Sequence, residues 1–131
     1  MPSSLPRPIT LWPRLLLVAG GLFGAAGVAL AAVAAHITGG SLATGADFLL
    51  FHAAALVGLA LFAIQLTRGR APLLVGATAI LLGTLLFSGD LTARALMEMK
   101  LFGGSAPFGG TLMIAGWLMV AFAALRARTT D

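Results

Sequence analysis

Leu15 to Ala35 is a run of twenty-one residues without one polar side chain. At 1.5 Å per residue, a helix of that length reaches roughly 31 Å, about the hydrocarbon thickness of a bilayer. In lipid such a segment needs no partner beyond its own backbone hydrogen bonds. Arg14 precedes the run, and Ala32-Val33-Ala34 has the small residues of a signal cleavage site. The apolar core of a secretory signal is typically about 7–15 residues, however, and this run is longer. It reads as a retained membrane span.

Composition extends that reading to the whole chain. Of 131 residues, 60% are apolar and 9% charged, against roughly 25% charged in a soluble domain. A chain this short has room for one domain, residues 1–131, and could not hide that much apolar surface from water. Cysteine is absent, which excludes disulfides, iron–sulfur clusters and thiolate metal sites. The net charge of +4 comes mostly from arginines beside apolar runs. There they act as orientation signals before they act as a nucleic-acid surface.

The remaining spans follow from the same reasoning. Met1 to Pro13 holds four of the six prolines and reads as an irregular tail. His36 to Asp47, with Gly39, Gly40 and Gly45, reads as a short connection. Phe48 to Leu66 is apolar except for His52 and Gln65. Arg68-Gly69-Arg70 ends it, and Pro72 opens the next helix where proline is favoured. Leu73 to Phe87 is apolar, and the helical pattern continues through Ser88, Asp90 and Arg94 to Met97. Glu98 to Phe108 contains Gly103, Gly104 and Pro107 and reads as a turn. Gly109 to Leu125 is the last span. The sequence predicts an all-α integral membrane four-helix bundle, with spans at 15–35, 48–66, 73–97 and 109–125.

Arg7, Arg14, Arg68, Arg70, Arg126 and Arg128 fall on one side of this arrangement. The other side receives Lys100 and Arg94. By the positive-inside rule both termini face the cytoplasm, as in a multi-pass protein of the inner (plasma) membrane. An odd number of spans would split these arginines between the two sides.

Small residues mark the helix contacts. Gly20, Gly24 and Gly27 lie on the first helix, Gly76 and Gly83 on the third, Gly109 and Gly116 on the fourth. Gly20 and Gly24 form a small-xxx-small pair, which serves either packing within the chain or a homo-oligomer face. Small residues on three helices imply a tight bundle with little room for a wide pore.

Polar residues are read by depth, because charge in hydrocarbon is costly. Asp90 lies roughly 25 Å along the third helix from Leu73, near the outer boundary. Arg94 and Glu98 follow at intervals of four and share its face, with Asp90 and Arg94 in the favourable order for an ion pair. His52 is expected about one turn below the same boundary, flanked by His36 and Asp47. A cluster of His36, Asp47, His52, Ser88, Asp90, Arg94 and Glu98 is therefore expected at the outer end. It reads either as a proton relay, ligand pocket or metal site, or as paired charges tolerated at headgroup level. His52 is expected to face the interior and to hydrogen-bond to the third helix around Ser88 to Asp90. No His-x-x-His spacing, phosphate-binding loop, nucleophile elbow or His-Glu-x-x-His helix occurs. Neither an enzyme nor a metal or cofactor site is read from the chain.

Several segments carry a resemblance. They are Gly24-Ala25-Ala26-Gly27-Val28-Ala29-Leu30 running to Ala35-His36, Phe51-His52-Ala53-Ala54-Ala55-Leu56, and Leu86-Phe87-Ser88-Gly89. Ala106-Pro107-Phe108-Gly109-Gly110 and Gly116-Trp117-Leu118 follow in order. Together they resemble the YgdD/YwdK-like family of small bacterial membrane proteins with mitochondrial relatives, a domain of unknown function. The resemblance covers about Leu15 to Leu125 and implies four transmembrane helices with no established activity. His36, His52, Ser88, Gly89, Pro107 and Gly110 match the family pattern. The chain departs from it at Ala31 and Ala34, where the family tends to glycine, and at Asp47-Phe48-Leu49, where it has a more polar, Tyr-containing run. It departs again at Asp90 and Arg94, where the family has Ser and apolar residues. Two opposite charges one turn apart imply a compensated pair particular to this chain.

Three functions compete. The first is a structural or accessory subunit of a larger membrane complex, favoured by the glycine faces and the lack of a mid-membrane carboxylate. The second is a small transporter or channel. Four-helix multidrug carriers of comparable size place a glutamate in the first span, and Leu15 to Ala35 has none. The third is a redox or ligand-binding protein using His36 and His52. Membrane lipids are the one partner the composition itself requires.

Overall fold

The computed structural model describes residues 5–37 and 40–130. The expected tail residues Met1 to Ser4 and the loop residue Gly39 lie outside the described residues. Among the described residues four α-helices make up the fold: α1 (Leu11–Ala34), α2 (Ser41–Gln65), α3 (Arg70–Met97) and α4 (Ala106–Arg126). All four are long and apolar enough to cross a membrane, as the all-α reading expected.

Every helix begins earlier than the apolar runs do. α1 takes in Pro13, which the sequence reading assigned to the tail. A proline in the first turn lacks an N–H that would find no intrahelical partner anyway. Pro107 sits the same way in the first turn of α4. The largest correction is at α2, which starts at Ser41 where a loop through Asp47 was expected. Leu42, Gly45, Ala46 and Leu49 are buried there, followed by Ala53, Leu56, Ala60 and Ala63. That spacing is one continuous helical stripe. The glycine and the exposed Asp47 lie in the helix without breaking it.

Each helix packs mainly on its neighbours in sequence: α1 on α2, α2 on α3 and α3 on α4. Leu56, Ala60, Ala77 and Ile80 form the fully buried centre. The α3–α4 contact is nearly backbone on backbone. A Cβ on Gly83 would stand 2.7 Å from the Gly109 carbonyl oxygen, and one on Gly76 would stand 2.9 Å from that of Gly116. α1 uses its glycines inwardly too. A Cβ on Gly20 would meet Val57 at 2.9 Å, and one on Gly27 would meet Leu50 at 2.8 Å, whereas Gly24 is in loose contact with Ala53. The Gly20–Gly24 face thus packs on α2 and is not free for a second copy.

The arginine-rich end is tied together. Leu66–Arg68 (β1) pairs antiparallel with Arg128–Thr129 (β2), a short ladder the sequence reading did not anticipate. Arg70 donates to the Thr10 hydroxyl at 2.9 Å, and the Trp12 indole N–H donates to Thr78 at 2.8 Å. The segment before α1, the α2–α3 connection and the residues after α4 therefore share one end of the bundle.

Candidate functional site

The longer α2 moves His52. Counted from Ser41, His52 lies roughly 16 Å into the helix, near its middle and not one turn below the boundary. It is buried. Its Nδ1 lies 2.7 Å from the Phe48 carbonyl oxygen, one turn back on α2. Its Nε2 accepts the indole N–H of Trp117 at 3.2 Å. His52 faces the interior, as expected, but its partner is on α4 and not at Ser88 to Asp90 on α3. The physical reason is register. Gly45 packs beside the Ser88 carbonyl and Leu91, so His52, two turns further along α2, has passed that level.

Trp117 is the residue the sequence reading missed. It stands near the middle of α4, whereas tryptophan in membrane proteins concentrates at the interfaces. Indole can only donate, so Nε2 must be the accepting nitrogen. The ring proton then sits on Nδ1 and is donated to Phe48. Both nitrogens are occupied, and no lone pair is left to ligate a metal. Phe48 stacks on the imidazole at 5.7 Å between centroids and touches Phe87 at 4.5 Å.

A second polar centre lies toward the end of α3. Asp90 is fully buried. Its Oδ2 accepts from Arg94 Nη2 at 2.8 Å and Nε at 3.1 Å. The same oxygen accepts the Ala106 backbone N–H at 3.0 Å, and Oδ1 accepts that of Leu101 at 2.8 Å. Ala106 is the first residue of α4, and Ser105 before it makes no side-chain cap. Asp90 thus caps α4 from the neighbouring helix, with its charge at the positive end of the helix dipole. The Ser105 hydroxyl donates instead to the Leu86 carbonyl at 2.8 Å. A buried carboxylate is tolerable when donors meet its charge, and here four converge, three on Oδ2 and one on Oδ1.

The other expected cluster members do not join. His36 lies beyond α1 and is exposed, Asp47 faces outward from α2, and Glu98 is exposed. Glu98 takes a left-handed conformation with φ 54° at the end of α3, so the face it shares with Arg94 in sequence is broken. Ser88 is buried, and its hydroxyl has no hydrogen-bond partner among the described residues. It lines an apolar groove of about 570 Å³ that runs between α1 and α3. Among the described residues no three His, Asp or Glu side chains gather as a metal site would need. The expected single cluster is thus two separate centres, one at His52 and Trp117, the other at Asp90.

The sequence model of a family described as "Protein of unknown function (DUF423)" matches residues 21–110. The UPF0382 inner membrane protein YgdD of Escherichia coli (strain K12) is 32% identical over 124 residues, covering 88% of this chain and 92% of that protein. A UPF0382 membrane protein of Haemophilus influenzae is 33% identical over 86 residues, covering 66% of this chain and 67% of its own. One of Staphylococcus saprophyticus is 33% identical over 108 residues, covering 81% and 84%. No solved structure matches.

Proposed function

The chain belongs to the DUF423 family, as the resemblance of its motifs implied, and we propose that it is a non-enzymatic structural or accessory protein of a larger membrane assembly. It is a multi-pass protein of the inner (plasma) membrane. In the proposed orientation both termini and the α2–α3 connection face the cytoplasm, following the arginines.

The observation that carries this reading is the use of the interior. The α3–α4 seam closes at glycine backbones. The polar side chains nearest the middle of the bundle, His52 and Thr84, spend their hydrogen bonds on the bundle itself, and the unpartnered hydroxyl of Ser88 lies nearer the end of α3. His52 bonds to Phe48 and Trp117, and the buried Thr84 hydroxyl donates to the Ile80 carbonyl at 2.7 Å. A transporter needs polar groups free to exchange partners with a substrate. The chain instead presents apolar surface outward, with Leu22 and Val28 on α1 and Ile114, Leu118 and Phe122 on α4.

Purification of the full chain in mild detergent after photo-crosslinking from Leu22, Val28, Ile114 and Leu118 tests the proposal. A discrete partner protein in fixed ratio, captured from one helix face, supports it. Lipid adducts alone from all four positions would remove the accessory role.

A further inference from the structure

The arginine-rich end contains a feature that orientation alone does not require. The β1–β2 ladder places Arg68 directly opposite Arg128. Like charges directly opposite on paired strands are destabilising. Arg126 completes the group, with its guanidinium carbon 5.2 Å from the Phe122 ring centroid at the last turn of α4. Together Arg68, Arg126 and Arg128 line a crevice of about 320 Å³, with Gly69, Leu125 and Ala127 as its other walls. None of the three guanidiniums meets a carboxylate among the described residues; the one ion pair described there is Arg94 with Asp90.

The backbone is built to hold this arrangement. Gly69 turns the connection in a left-handed conformation, φ 80°. A Cβ there would come within 3.0 Å of the Ala123 carbonyl and the Ala127 backbone. The α2–α3 connection can therefore lie directly on the end of α4. The Thr67 hydroxyl adds a bond to the Arg128 carbonyl at 3.0 Å. Arginines that served only as orientation signals would be free to separate in solvent. Here paired backbone keeps them together, with no carboxylate beside them among the described residues.

We propose that this crevice binds the phosphate of an anionic phospholipid headgroup. Guanidinium groups match phosphate oxygens with paired, charge-assisted hydrogen bonds. The crevice lies at the ends of α2 and α4, where helices of bilayer length reach the headgroups, and basic pockets in that position suit anionic lipids. Leu125 and Phe122 are exposed beside the arginines and offer the acyl chains an apolar wall. The phosphate binds the three arginines while the tails follow α4 into the bilayer.

Lipid retention by the full chain, read by native mass spectrometry from detergent, tests this. The probes are dioleoylphosphatidylglycerol, dioleoylphosphatidylcholine and inorganic phosphate. Preferential retention of phosphatidylglycerol is expected, weakened on the order of tenfold in R68Q/R128Q. R7Q/R14Q, which loses the same charge elsewhere at this end, should retain it as the parent does. R68K/R128K should bind between the two, because lysine keeps the charge and loses the fork. R126Q replaces the double variant if that chain fails to fold. Equal retention of the two lipids, or equal loss in both glutamine pairs, would overturn the site. Displacement by millimolar inorganic phosphate would assign it to soluble phosphate instead of lipid.

Discussion

Trp117 donates its indole N–H to Nε2 of His52 across 3.2 Å, joining α2 and α4 near the middle of both helices. In hydrocarbon neither group has water to fall back on. The bond is a cross-brace between helices that are not neighbours in sequence. A double-mutant cycle with His52→Phe and Trp117→Phe measures it. The coupling energy from reversible unfolding in detergent is expected at about 0.6–1.7 kcal/mol, the range of measured interhelical hydrogen bonds in membranes. Strictly additive losses would show that the pair does not act together.

Asp90 and Arg94 are paired but unequal. The carboxylate is fully buried and holds two backbone amides besides the guanidinium, whereas the Arg94 side chain is 37% exposed. Asp90→Ala should cost about 3 kcal/mol or more, because the Leu101 and Ala106 amides lose their acceptor in a buried setting. Arg94→Leu should cost about 1 kcal/mol, the value of a partly solvated pair. The double variant should resemble Asp90→Ala alone. Thermal melts in detergent give the order, and a larger loss at Arg94 would contradict the capping role of Asp90.

The glycines differ by position. Gly83→Ala pushes a methyl group against the Gly109 carbonyl at 2.7 Å, where only backbone can yield. A loss of about 1–3 kcal/mol or more is expected. Gly58 has nothing within 4 Å of a Cβ. Gly58→Ala should be neutral or stabilising by about 0.5–1 kcal/mol from helix propensity. Comparable losses at the two positions would show that α3 and α4 are not in close contact.

Topology is tested by reporter fusions after Arg70 and after Asp131. Both are expected to read as cytoplasmic, since six arginines gather at that end. Opposite locations would exclude four spans.

The four helices were legible because apolar runs of bilayer length admit few other structures. Their starts were not, because a first-turn proline and a helical glycine look like breakers when read alone. The stripe of Leu42, Ala46, Leu49 and Ala53 held the correction for α2, at a spacing of three to four. That error placed His52 too near the surface and so named the wrong partner. The Asp90–Arg94 spacing was readable from one helix. The amides of Leu101 and Ala106 were not, because they reach Asp90 through the turn that folds α4 back on α3. Trp117 carried a signal in its depth, an indole far from either interface. The β1–β2 ladder left no mark in residues chosen equally well for a basic loop.

The central claim is that the polar groups nearest the middle of the bundle, His52 and Thr84, are committed to structure. Proton and cation flux in proteoliposomes containing the full chain tests it most directly. Flux equal to that of protein-free vesicles is expected, both for the parent chain and for His52→Phe. Flux above that background, abolished by His52→Phe in a chain that still folds, would contradict the claim and make His52 part of a pathway.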